Sequence, residues 1–288
     1  MEFIITLVNG LSLGGIYAMI ALGYTMVYGI AKMLNFAHGD IIMVGGYTIL
    51  LFLAVNPIVA IIASVIFCCV MGIVIERFAY KPLRGASPLA VLITAIGVSY
   101  LLQSLAQLCF GSAPKFVVIA NLGVITIGEL SIGYSTIITL ICSVVLMVAL
   151  NLFVKFTKTG RAMIAVSEDK SAAQLMGINV NFIIMITFAI GSAMAALASL
   201  FFLLKAPTIM PTFGSLPGIK AFTAAVIGGI GSIPGAMVGG ILLGVIECFA
   251  QAVPALSPYT VAIEFTILIV ILLVKPTGLL GKKRREKV

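Results

Sequence analysis

Apolar runs about twenty residues long recur from one end of this 288-residue sequence to the other. A helix crossing a ~30 Å hydrocarbon core needs about 20 mostly apolar residues. Lipid offers no partners to backbone N–H and C=O groups, so only helices and closed barrels can span it. The runs are continuous and do not alternate, which argues against a barrel. The sequence therefore predicts an all-α polytopic membrane protein with a single transmembrane domain over 1–288. Spans are expected at roughly 5–30, 37–55, 57–76, 88–109, 135–154, 180–204, 235–253 and 258–275, about eight in all. A shorter apolar piece near 219–230 is too brief to cross. It reads as a broken or half helix, which survives in a membrane only where protein or a wet cavity covers it.

The chain is 62% apolar, 9% charged and formally +8. In a soluble protein such a balance would suggest a nucleic-acid partner. Here the bases stand beside apolar runs, so they set orientation, and no nucleic acid is expected. Lys32 is followed by the cluster Arg77, Lys81 and Arg84, then by Lys155, Lys158, Arg161 and Lys170. A last group holds Lys275, Lys282, Lys283, Arg284, Arg285 and Lys287. All of these can be cytoplasmic together, leaving Lys115, Lys205 and Lys220 on the outer side. The N-terminus is then outside, and the C-terminus, with a basic tail over 281–288, is cytoplasmic. The piece near 219–230 must change sides for this to hold. The loop Gly111–Tyr134 is the longest outer segment and is too small for a domain. The N-terminal MEFIITLVNG has no basic n-region and does not read as a cleaved signal. Five cysteines lie within apolar segments without zinc spacing, so they read as small buried hydrophobes and no metal is expected.

One charged stretch stands apart, KFTKTGRAMIAVSEDKSAAQLMGINV, Lys155–Val180, which is too polar to cross a bilayer. Ser167 suits an N-cap, Glu168 and Asp169 suit the positive end of a helix, and Gly177 suits the C′ position. Ala172, Leu175 and Met176 recur at i, i+3 and i+4 and form a small apolar face. Such a helix can lie on headgroups, or it can dock a cytosolic partner.

That stretch resembles the cytoplasmic loop of LivH/LivM-type permeases of ABC importers for branched-chain amino acids. LNFAHGDIIMVGGY (34–47), GGIGSIPGAMVGGILLGVIE (228–247) and KPTGLLG (275–281) resemble the same family, in the expected order. The LivH-like half of the pair is the better match. The resemblance implies that the loop, 155–179, contacts the ATP-hydrolysing subunit. On family-typical positions stand Gly160, Arg161, Ala162 and Asp169, then Ala172, Ala173 and Gly177. Leu175 and Met176 join them through the small apolar face they form with Ala172. It further implies two ATPase subunits, a second permease chain (LivM-like), a solute-binding protein and a multi-pass place in a bacterial or archaeal cytoplasmic membrane. Leucine, isoleucine and valine are the implied cargo; urea, amides or other amino acids are the alternative within the family. An ion-coupled carrier is the alternative outside it. The chain has no G-x-x-x-x-G-K-[ST] loop, because Gly281-Lys282 lacks the earlier Gly and the following Ser/Thr. ATP and Mg are therefore expected on partner subunits, with no cofactor on this chain. Transport changes no bond, so no catalytic residue is assigned.

Three acids fall within expected spans: Asp40, Glu247 and Glu264. Intramembrane acids are costly and mark functional candidates. Glu247 and Glu264 flank Pro254 and Pro258 at matched depth, about 10 Å inside their helices. They read as lining a gate or vestibule, or as carboxyls satisfied by neighbouring helices. No base is expected beside them. Asn35, His38 and Asp40 surround Gly39, where a broken helix could border the path; His38 otherwise reads as a packed core residue. Gly228, Gly229, Gly231, Gly235, Gly239 and Gly240 have the spacing of close helix packing, or of a seal against the partner permease.

Overall fold

A computed structural model describes residues 2–120, 122–127 and 130–281. The basic tail lies, from Lys282 onward, outside the described residues. Seven helices are long and apolar enough to cross a membrane. They are α1 (Glu2–Ala31), α3 (Pro57–Ile75), α4 (Pro88–Phe110), α5 (Tyr134–Phe156), α8 (Val180–Lys205), α10 (Ile233–Ala252) and α11 (Thr260–Val274), the last reaching 18 residues, Ser257–Val274, with the turn before it. A π-turn, Glu76–Tyr80, and a 3₁₀ turn, Lys81–Leu83, prolong α3, and a 3₁₀ turn, Ser257–Tyr259, leads into α11. Two further apolar helices are short: α2 (His38–Phe52) and α9 (Ser215–Gly228). The polar stretch forms two helices, α6 (Lys158–Glu168) and α7 (Lys170–Leu175).

The expected eighth span, 37–55, is thus a 15-residue helix. It is about 22 Å long, short of the ~30 Å that a crossing needs. Hydropathy counted its apolar residues but could not see where the chain starts it. After Ala31 the chain turns at Lys32, which has φ 61°, and folds back into the body. The His38 ring lies edge-on to Tyr24, 4.7 Å between centroids. Tyr24 is seven residues before the end of α1, so α2 begins about 10 Å inside that end. Tyr80, in the π-turn after α3, holds the break by donating its hydroxyl to Asn35 Oδ1 at 2.8 Å.

The helix α9 mirrors this. Gly39 and Gly218 pack so closely that a Cβ on Gly218 would stand 2.7 Å from Gly39 Cα. The N-terminal turns of α2 and α9 therefore meet inside the body, and the two helices leave toward opposite ends of it. At its far end α9 reaches the end of the body where α11 finishes and Lys275 follows it; Arg84 and Lys158 likewise follow the C-terminal ends of α3 and α5. There the KPTGLLG run caps it: Leu279 N donates to Ile227 O at 2.8 Å and Leu280 N to Gly228 O at 2.9 Å.

Helices α1 and α8 form the buried centre, whereas α4 and α11 have most of their surface outside. Small residues bring α1 and α10 together. A Cβ on Gly240 would stand 2.4 Å from Ala18 Cα, and one on Gly244 2.1 Å from Gly14 N. Gly239 lies as tightly against Ala224 O, and Gly228 against Gly235 O. Gly229 has φ 110° and packs on Gly281, a conformation that a side chain would strain. Gly231 lies nearest Gly29. At the end opposite the bases, the loop after α4 carries a hairpin of β2 (Val124–Ile127) and β3 (Leu130–Gly133). There β1 (Lys115–Phe116) pairs with β4 (Thr208–Ile209).

Candidate functional site

Two polar clusters interrupt the apolar body, and both are built on α9. The first is a cleft between α2, α4 and α9. Asp40, in the first turn of α2, is 2% exposed. Gln103 Nε2 of α4 donates to Asp40 Oδ1 at 2.8 Å and lies 3.2 Å from both Ser99 Oγ and Ser215 Oγ. These groups border a cavity of about 260 Å³ whose apolar walls include Phe36, Ile96, Tyr100 and Ile219. A second cavity of about 220 Å³ shares Tyr100 and Gln103 and continues past Gln107 toward Ser112 and Thr212. The polar groups of α4 follow helix geometry: Ser99, Gln103 and Gln107 repeat every four residues and share one face. The sequence reading missed this stripe, although its spacing was legible.

The second cluster lies on the other side of α9. Lys220 Nζ is 2.7 Å from Glu247 Oε1 of α10 and 3.1 Å from Glu264 Oε1 of α11. Tyr17 of α1 donates to Glu247 Oε2 at 2.7 Å, and Gln251 Nε2 to Glu247 Oε1 at 3.1 Å. All three charged side chains are buried. This corrects the expectation that no base stands beside the two acids and that Lys220 lies on an outer surface. Counting bases by loop fails for a lysine carried on a half helix inside the body. It also corrects the vestibule: the carboxylates close on an ammonium and are buried. A buried charge is strongly unfavourable alone and tolerable when paired and hydrogen-bonded, which is why one lysine accompanies two acids.

The remaining path candidates separate. Asn35 is clamped by Tyr80 at the break before α2. His38 is buried against Tyr24, and its Nε2 has no hydrogen-bond partner among the described residues. It is a packed core residue and not part of a titratable chain.

The polar stretch also differs from the sequence reading in its caps. Thr157 caps α6, accepting from Gly160 N at 2.9 Å. Asp169 caps α7, accepting from Ser171 N at 2.8 Å and Ala172 N at 3.0 Å. Ser167 is inside α6, where its hydroxyl donates to Ile164 O at 2.7 Å. One helix was expected where two meet at a sharp corner, and the corner residue takes the cap. Gly177 has φ 81° and follows α7 as the C′ residue. Gly160 and Ala173 are buried with Met163 and Val166, so they seat the stretch on the body. Ala162 is half-buried, while Arg161, Asp169 and Ala172 are exposed. Leu175 and Met176 stand almost free, at 89% and 83% exposure. Lys170 Nζ donates to Ala31 O, the last residue of α1, at 2.9 Å. Its partial burial and the nearby Arg84 guanidinium lower its pKa. Arg84 also ion-pairs with buried Glu76 and donates to Asn181 at the start of α8.

The site thus sits in a helical body with seven helices long and apolar enough to cross a membrane and two short apolar helices whose N-terminal turns meet beside a polar cleft. The chain belongs to the branched-chain amino acid transport system permease component family, whose model matches residues 6–272. It is 45% identical to the high-affinity branched-chain amino acid transport permease BraD of Pseudomonas aeruginosa, over 98% of this chain and 97% of that one. It is 41% identical to the corresponding LivH permease of Salmonella typhimurium, over 99% and 98%. The probable LivH of Methanocaldococcus jannaschii is 29% identical, over 91% and 88%.

Proposed function

We propose that this permease forms one side of the path by which leucine, isoleucine and valine cross the cytoplasmic membrane of a bacterium or archaeon. The observation that carries this reading is the cleft at Asp40 and Gln103, in a chain 45% identical to a branched-chain amino acid permease along nearly its whole length. A second permease, LivM-like, covers the open face of α4 and completes the path. A solute-binding protein delivers cargo at the hairpin end. Two ATPase subunits grip the basic end, where α6 and α7 are seated by Gly160 and Ala173 and present Leu175 and Met176. The clustering of bases at that end supports its cytoplasmic placement. Closure of the ATPases pushes on this seat, and Lys170 and Arg84 pass the push to α1 and α8. The push shifts the two-state balance only through contacts that differ between the states.

Reconstitution tests this. Proteoliposomes holding this chain with both ATPases, the second permease and the binding protein should accumulate labelled leucine only when ATP is inside. Uptake by this chain alone, driven by a proton or sodium gradient, would make it a secondary carrier instead.

A further inference from the structure

Four acids are buried among the described residues: Asp40, Glu76, Glu247 and Glu264. Glu76 pairs with Arg84, and Glu247 and Glu264 share Lys220. Asp40 differs: among the described residues it has no basic partner, and neutral donors, the Gln103 amide and the Ser99 hydroxyl, hold its carboxylate. It is also the one of the four that borders the mid-depth cavity. A buried carboxylate without a cation is poorly compensated, and an open volume beside it leaves room for the cation to be supplied by a ligand. The positive end of α2 serves Asp40 itself; that of α9 adjoins this place, and with the Ser215 hydroxyl it favours a second negative group a few ångströms away. Phe36, Ile96 and Ile219 supply an apolar wall. The volume, about 260 Å³, suits a metabolite and lies just below the ~300 Å³ at which drug-sized pockets begin.

We infer that this cleft is a transit site for an amino-acid zwitterion, in which Asp40 takes the ammonium group, the N-terminal end of α9 and Ser215 take the carboxylate, and the wall takes an aliphatic side chain. This rests on the reading of the chain as an amino-acid permease and adds the chemistry of recognition within the membrane. Selection then occurs twice, once at the binding protein and again at mid-depth. Gln103 is a positioning residue that orients the carboxylate of Asp40.

The test is equilibrium binding to the purified transporter, this chain with its partner subunits, in nanodiscs without the binding protein. The probes are leucine and 4-methylpentanoate, which is leucine without its amino group. Loss of the amino group should weaken binding to the wild type at least tenfold, and to Asp40→Asn less than twofold. Such a cycle isolates the ammonium–carboxylate contact. Asp40→Glu should keep the tenfold ratio. Ile219→Trp, on the rim of the cleft, should weaken leucine binding at least fivefold. An equal ratio in wild type and Asp40→Asn overturns the assignment. If Asp40→Asn fails to co-purify with its partners, unchanged leucine affinity in Ile219→Trp overturns it instead, as does a wild type that binds no amino acid. If another amino acid is carried in place of leucine, the proposed cargo is wrong. The ratio for that amino acid and its deaminated analogue must then still depend on Asp40.

Discussion

The two polar clusters on α9, at Ser215 and at Lys220, are five residues apart along one helix, yet they solve opposite problems. Around Lys220 every strong charge has found another: one ammonium, two carboxylates, a tyrosine hydroxyl and an amide close on each other away from solvent. Around Asp40 a carboxylate borders open space with only neutral donors, Gln103 and Ser99. The same cost of burying charge in lipid thus marks structure in one place and a ligand's position in the other. Being ionisable inside a membrane is not enough to mark a functional site. Having no protein counter-ion and bordering a cavity is the better sign.

This contrast can be broken by substitution. Lys220→Met should have the largest effect, because it leaves two buried carboxylates uncompensated. Breaking such a pair costs about 3–5 kcal/mol, so the melting temperature in detergent should collapse. The triple change Lys220→Met, Glu247→Gln and Glu264→Gln should regain most of it, since replacing all partners of a buried ion cluster is often near neutral. If the single change is as stable as wild type, the cluster is not structural.

Next in size, Glu247→Gln should destabilise more than Glu264→Gln. Glu247 accepts from Lys220, Tyr17 and Gln251, while Glu264 Oε2 has no partner among the described residues. The difference should be about 1 kcal/mol, the typical worth of one or two hydrogen bonds; the reverse order of melting temperatures would show that Glu264 anchors the cluster. Asp40→Asn should sharpen the comparison from the other side. It keeps an acceptor for Gln103, so melting should move little, while leucine uptake falls at least tenfold. A variant that melts early and transports normally would place Asp40 with the structural acids.

The smallest effects are expected at the basic end. Asp169→Ala removes the α7 cap and should cost about 1 kcal/mol, whereas Ser167→Ala should be silent in thermal melts. Leu175→Asp touches nothing in this chain, so melting should hold while ATPase co-purification is lost. Retained co-purification would move the docking surface elsewhere.

Much of this was legible beforehand, and the failures share a cause. The long spans were readable because burial in lipid imposes length and hydropathy on each segment separately. The half helix near 219–230 was legible for the same reason, being too short to cross. The other half helix was not, because the 37–55 run has the composition of a full span. Its shortness follows from a back-folded chain that Tyr80, forty-five residues later in sequence than Asn35, holds in place. Lys220 was misplaced because its partners come from two other helices. The Ser99, Gln103 and Gln107 stripe could have been read from its spacing alone. The caps of α6 and α7 were off because a corner between two short helices has no signature beyond one well-placed Asp.

The sequence by itself determined that this chain lives in a membrane, where most of its long helices fall, and which family it belongs to. Each of these follows from short-range pattern, since lipid tests every segment alone. Only the tertiary structure decided which buried acids are satisfied and which is left open. Pairing is a relation between helices far apart in the chain, fixed by the glycine contacts that bring α2 and α9 end to end.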